Sequence, residues 1–198
     1  ERTQKGHLPS LSPPVHIESG AVLSIDSATR SNLELVRNLA GKRAGSLLTT
    51  VDRTLTGAGA RLFATRLSAP LTDPAESNAR LDDVGLFHAN VELRALLREG
   101  LRRSPDVERA LTRCTVGRGG PRDLAAIRDG LACAGELCGG LVSLSAVPSE
   151  IVRLAQGLGL HESFVAKLSH SLTPELPHLT RDGGFISLRT NTKLDEFR

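Results

Sequence analysis

The sequence predicts an all-α fold, an irregular bundle of several helices with one short extended or β segment near the N-terminus. Three observations lead there. Apolar residues recur at steps of three and four through most of the chain beyond residue 46, the spacing of one helix face. Several of those stretches open on helix-starting residues, notably the Asp73-Pro74 and Ser104-Pro105 pairs. Extended signals are confined to "AVLSID" near the start and "FISL" near the end.

Taken in order, residues 1–20 hold Pro9, Pro13, Pro14 and Gly20 and read as a linker or arm. "AVLSID" is the short extended segment, and "DSATRSNLEL" follows with Asp26 or Ser27 as capping residue. "NLAGKRAGS" is a turn region. Ser46 to Leu67 then reads as one long helix, with Leu48, Val51, Leu55, Ala58 and Leu62 on one face. Gly57 and Gly59 fall near its middle, where an exposed glycine costs roughly 1 kcal/mol relative to alanine. A packing reason is needed for them.

"DPAESNARLDDVGLF" is the cleanest helix start, with Asp73 as N-cap, Pro74 at the first helical position and Glu76 completing a capping box. "SPDVERALTRC" repeats the pattern from Ser104. "GPRDLAAIRDGLACAGELCGGL" places Leu124, Ile127, Leu131, Ala134, Cys138 and Leu141 on one face. Shorter helices are expected over Ile151 to Leu158 and Glu162 to Leu172. Pro174, Pro177 and the Gly183-Gly184 pair interrupt the pattern, and "KLDEFR" reads as the first turn of another helix.

With 198 residues the chain suits one ordinary domain, and its 39% hydrophobic content supports a core. That core is aliphatic, because there are five Phe and neither Trp nor Tyr. A chain of this length without Met reads as a segment of something longer. The net charge of +3 is modest and acidic residues are interleaved throughout, so no polyanion-binding surface is announced. Arg98, Arg102, Arg109 and Arg113 lie in the most basic stretch and are the candidates for weak, non-specific DNA contact. A solvated helical face is the plainer reading of the same residues. Cys114, Cys133 and Cys138 suit neither a disulfide framework nor a zinc site, which need paired ligands, and read as buried thiols. No signal peptide or membrane span is visible, and a soluble, cytoplasmic protein is expected.

Motifs that would carry chemistry fail on their spacing. Gly41-Lys42 invites a phosphate loop, but Val36 and Arg43 stand where glycine and Ser or Thr are required. His161-Glu162 begins a zinc-protease motif, yet the second histidine position is Val165. No Gly-x-Ser-x-Gly elbow surrounds Ser143. Asp82-Asp83 reads as part of a solvated polar helix face. No catalytic, cofactor-binding or metal-ligating residue is therefore assigned.

Several segments in order resemble the bacterial MutS family of DNA mismatch-repair ATPases. They are "TQKG" with "LPSLSPP", "IDSATRSNLEL", "GSLLTTVDRTLTGAGARLFATRLSAPLTDPAESNARLDDV", "RSPDVERALTR", "GRGGPRDLAAIRDGL" and "DGGFI" followed by "LDEFR". The run "VDRTLTGAGARL" is the most specific, and the resemblance covers nearly the whole chain. It implies residues 1–20 as the end of a connector domain, 21–188 as a helical core and 189–198 as the start of a lever helix toward a clamp absent here. By the same resemblance ATP and Mg belong to the parent protein and no cofactor to this chain. The implied partners are the parent's other domains, mismatched duplex held by those domains, a second copy in a homodimer and a MutL-type protein. Where the family usually has Gly followed by an aromatic, this chain has Arg189 and Thr190. Ser77 replaces a usual apolar residue. Gly57 is foreign to the pattern, whereas Gly59 belongs to it.

On this reading Gly59 lies on a packed side beside Ala58 and Leu62. Asp52, Arg53, Thr54, Thr56, Gly59, Arg61 and Leu62 become candidates for coupling to a neighbouring domain. Packing within the domain explains them equally well at this point. The expected function is mechanical, a non-enzymatic hub linking nucleotide state to the DNA clamp. The alternative is a free-standing helical interaction module.

Overall fold

A computed structural model describes residues 20–142, 147–159 and 161–196. The expected arm at 1–19, Ser143, and the end of "KLDEFR" at Phe197 and Arg198 lie outside the described residues. The fold is all-α: ten helices occur among the described residues, together with isolated β-bridges and no sheet. They belong to two compact units. Of the described residues, one holds 20–102 and 147–153, the other 103–142, 154–159 and 161–196.

In the first unit the segment after Gly20 is extended, and Val22 forms a single antiparallel bridge with Leu71. Helix α1 (Ser27–Asn32) starts where the Asp26 carboxylate accepts the N–H groups of Ala28 and Thr29, both at 2.9 Å. Those two donors have no partner inside the helix, which is why an aspartate sets the start. The turn region 38–46 uses left-handed Gly41 and Gly45. Asn38 ties it, accepting from Lys42 N–H and donating to the Ala44 carbonyl. Ser46, fully buried, then caps α2 (Leu47–Val51), and Leu48 fills the space beneath at 1% exposure.

The long helix expected over Ser46 to Leu67 is two helices. Helix α2 stops at Val51 and α3 spans Gly57–Ser68, with Thr56 as N-cap. Gly57 and Gly59 are thus the first and third residues of a helix, where the main chain is not yet enclosed by hydrogen bonds. The packed side expected there is also different. Ala58 is exposed and Leu62 is 53% exposed. The neighbour of Gly59 is its own cap: a Cβ would stand 2.9 Å from Thr56 Oγ1.

Helix α4 (Pro74–Ala89) starts at Asp73 as the sequence requires, its carboxylate accepting from Ala75 N–H. Ser77 turns its hydroxyl onto the Asp73 carbonyl, so it contributes no apolar packing. Asn90 alone separates α4 from α5 (Val91–Arg103) and its side chain accepts from Leu93 N–H.

In the second unit α6 (Val107–Thr115) begins at Asp106, two residues beyond the Ser104-Pro105 start. The Asp106 carboxylate reaches Arg109 N–H and supplies the cap that Ser104 was expected to give. Helix α7 (Pro121–Val142) packs on α6 and on α9 (Glu162–Ser171). Its buried stripe is Asp123, Ile127, Gly130, Cys133, Leu137 and Leu141. Leu124, Leu131, Ala134 and Cys138 flank that stripe, half-buried. The face turned relative to the expected one because two of its members are not apolar side chains. Gly130 lets the Val107 methyl lie where a Cβ would be, and Asp123 is neutralised by Arg113.

Helix α8 (Ser149–Leu158) contributes Ala155, whose carbonyl accepts the Cys138 thiol at 3.2 Å. "FISL" forms one bridge, Ile186 to Leu172, and α10 (Thr192–Asp195) follows with Asn191 as N-cap.

Candidate coupling segment and the arginine row

The break between α2 and α3 is built by side chains, since residues 52–56 contain neither glycine nor proline. Asp52 Oδ1 accepts from Thr54 N–H at 2.8 Å and from the Thr54 hydroxyl at 2.7 Å. This local turn competes with helix continuation. The Arg53 guanidinium folds back onto the carbonyls of Thr50 and Asp52, at 3.1 and 2.9 Å. These carbonyls have lost the partners a longer helix would give them. Thr56 Oγ1 then accepts from Gly59 N–H at 3.0 Å and starts α3. The Thr54 hydroxyl, with its N–H behind it, holds the Asp52 carboxyl below its ordinary value.

The seven candidate coupling residues fall in the linker turn, the cap and α3. Asp52, Arg53 and Thr54 form the linker turn, Thr56 and Gly59 form the cap, and Leu62 points outward from α3. Arg61 is half-buried on α3, and its carbonyl accepts the Thr65 hydroxyl. An open groove of about 410 Å³ runs beside the turn, lined by Arg43, Leu48, Thr49, Asp52 and Thr54. Arg43 and Thr49 were not singled out by sequence. The Arg43 carbonyl accepts the hydroxyls of Ser46 and Thr49, a contact across a glycine-containing turn that spacing does not reveal.

The four candidate DNA-contact arginines are dispersed. Arg98 Nη1 donates to the Arg53 carbonyl at 3.3 Å. Arg102 pairs with Glu99 at 2.8 Å, and Arg109 lies 3.6 Å from Asp106. Arg113 grips Asp123 through Nε, at 2.8 Å, and through Nη2. Asp123 in turn accepts from Gly120 N–H at 3.0 Å, closing the first turn of α7. The Arg113 guanidinium keeps the Asp123 carboxyl below its ordinary value, against the opposing effect of burial. Sequence reading missed this pair. Its signal is the acid three residues after Gly120 at a helix start.

Asp82 is exposed as expected, but Asp83 is half-buried with Oδ1 sealed from solvent and unpartnered. Burial, then Glu150 and Asp82, push its carboxyl above the ordinary value. None of the three cysteines is in a disulfide; Cys133 is buried as expected, whereas Cys114 and Cys138 are half-buried. No group of metal-holding side chains occurs among the described residues. No described helix is long and apolar enough to cross a membrane.

Comparison with known proteins places this arrangement. A family model described as MutS domain III matches residues 28–196. The DNA mismatch repair protein MutS of Nitrobacter winogradskyi is 48% identical across the whole chain. The proteins of the same name from Rhodopseudomonas palustris strains BisA53 and BisB5 are 50% and 47% identical, again across the whole chain. In each case the chain spans 22% of the relative's length. On the match over residues 28–196 and the identity across the whole chain, the chain belongs to the MutS domain III family.

Proposed function

We propose that this chain is the helical core of a DNA mismatch-repair protein, relaying nucleotide state to the domains that grip DNA. The observation that carries the proposal is the match of the entire chain, at 47–50% identity, to proteins named for mismatch repair. In this reading residues 1–20 close a connector domain, 21–188 are the core and 189–198 begin the lever helix. ATP, Mg and mismatched duplex are held by other parts of the parent protein, which works as a homodimer and meets a MutL-type partner in the cytoplasm. The chain itself performs no chemistry.

The relay runs through the α2–α3 linker. A coupling element must have a defined shape that two sites can bias. Asp52, Arg53, Thr54 and Thr56 supply that shape through local hydrogen bonds, while exposed Leu62 and the neighbouring groove offer a surface to another domain.

The test is a chimera in which this chain replaces the corresponding segment of the Nitrobacter winogradskyi relative. The chimera should restore repair in a mutator strain. Adding Asp52→Ala and Thr56→Ala should lower stimulation of ATP hydrolysis by mismatched DNA several-fold and leave duplex affinity unchanged. A chimera that folds but does not repair would remove the core assignment. Undiminished stimulation in the double variant would remove the relay from this linker.

A further inference from the structure

Helix α5 carries Arg94, Arg98 and Arg102 at successive turns, one row on one face. Such a row invites a phosphate-binding reading, but its first two members end on main-chain carbonyls. Arg94 Nη1 donates to Phe87 O at 2.7 Å and to His88 O at 2.8 Å, in the last turn of α4. Arg98 Nη1 donates to Arg53 O, 45 residues away in sequence. Of the three, Arg102 ends on an exposed acid, Glu99, with more than half of each side chain in solvent.

All three carbonyls lie at or just beyond a helix end. The end of a helix strands its last carbonyls, and each needs a donor from elsewhere. At the end of α2, Arg53 supplies donors to Thr50 O and Asp52 O but cannot supply its own carbonyl. Arg98 does so from α5. Its planar fork reaches a carbonyl with a fixed geometry that a single ammonium imitates only in part.

We propose that Arg98 is a positioning residue of the coupling segment, pinning the Arg53 carbonyl to α5 and so fixing the path of the α2–α3 linker. The word coupling rests on the function proposed above; the pin itself does not. Arg98 thereby leaves the set of phosphate contacts, and Arg102 stays in it. The turn at Asp52 sets the local shape of the linker, and Arg98 sets where that shape lies relative to α5.

Hydrogen exchange on the isolated chain tests the pin without nucleotide or DNA, so its outcome is independent of the chimera experiment. In Arg98→Ala the hydrogen-bonded amides of the linker, Thr54 N–H on Asp52 Oδ1 and Gly59 N–H on Thr56 Oγ1, should exchange about tenfold faster, the scale of one charge-assisted hydrogen bond. Arg98→Lys should recover much of the protection, and Arg102→Ala should leave these amides unchanged. Circular dichroism checks folding. If Arg98→Ala loses helix, Arg98→Lys is compared with Arg98→Gln, whose amide is too short to reach, and only the lysine should protect. Native exchange rates in a folded Arg98→Ala would overturn the proposal. So would a loss of duplex affinity in Arg98→Ala, beyond that of Arg102→Ala, with the linker amides unchanged.

Discussion

Arg189 adopts a left-handed backbone, with φ of +66°. A side chain there crowds its own carbonyl, a penalty that glycine avoids. The resemblance read from sequence expects Gly here, and the left-handed backbone gives that expectation a conformational reason. The strain is held by Arg189 N–H, which donates to Asp195 Oδ2 at 2.8 Å. Glycine keeps that N–H. Arg189→Gly should therefore stabilise the chain by about 0.5–1 kcal/mol, after the entropy that glycine adds to the unfolded state. A raised urea midpoint with unchanged slope is the expected reading, and a lowered one would mean that the Arg189 side chain has an unrecognised partner. Gly59 is a different case at the same scale. It sits in a crowded cap, where the nearest obstacles to a Cβ are Thr56 and Thr54.

Helix α7 shows how one buried acid organises an element. The Asp123 side chain is 11% exposed and joins Arg113 of α6 to the first turn of α7. Its removal takes away a helix cap and one half of an ion pair whose arginine remains half in solvent. Asp123→Ala should cost about 2 kcal/mol, with the cap and the pair contributing comparably. The pH dependence follows from the lowered folded pKa. The unfolded carboxylate binds protons first, so the Asp123 contribution is complete above its ordinary value of 3.8 and is lost as pH falls through the lower folded value. Urea titrations should show the gap between native and Asp123→Ala narrowing over that acid range. A constant gap would assign the effect to packing alone.

For the whole molecule the pairing of arginines bears on DNA. Four free arginines meeting phosphates would give a slope near −3.6 in log affinity against log salt. Arg113 is committed to Asp123, Arg98 to a carbonyl, and Arg102 and Arg109 lie beside acids. The isolated chain should bind duplex weakly, with a shallower slope and no preference for a mismatch. Fluorescence anisotropy across a salt series measures both. A mismatch preference at physiological salt would place recognition inside this chain.

The sequence by itself determined the helical class, most helix starts and the family. Caps at Asp26 and Asp73 are local chemistry, legible because a carboxylate and the N–H groups it satisfies lie within three residues. The same locality made the turn at 38–46 readable. What only the tertiary structure decided depends on residues far apart or on competing local choices. The break between α2 and α3 was hidden because Leu48, Val51, Leu55, Ala58 and Leu62 keep helical spacing across it. An aspartate turn, two arginines and a threonine cap override that spacing. The inward face of α7 was likewise misplaced, since periodicity counts apolar side chains. Neither a glycine admitting Val107 nor an aspartate matched to Arg113 registers in such a count. Spacing tells which residues share a face, while partners from other elements decide which face turns inward and where a helix stops.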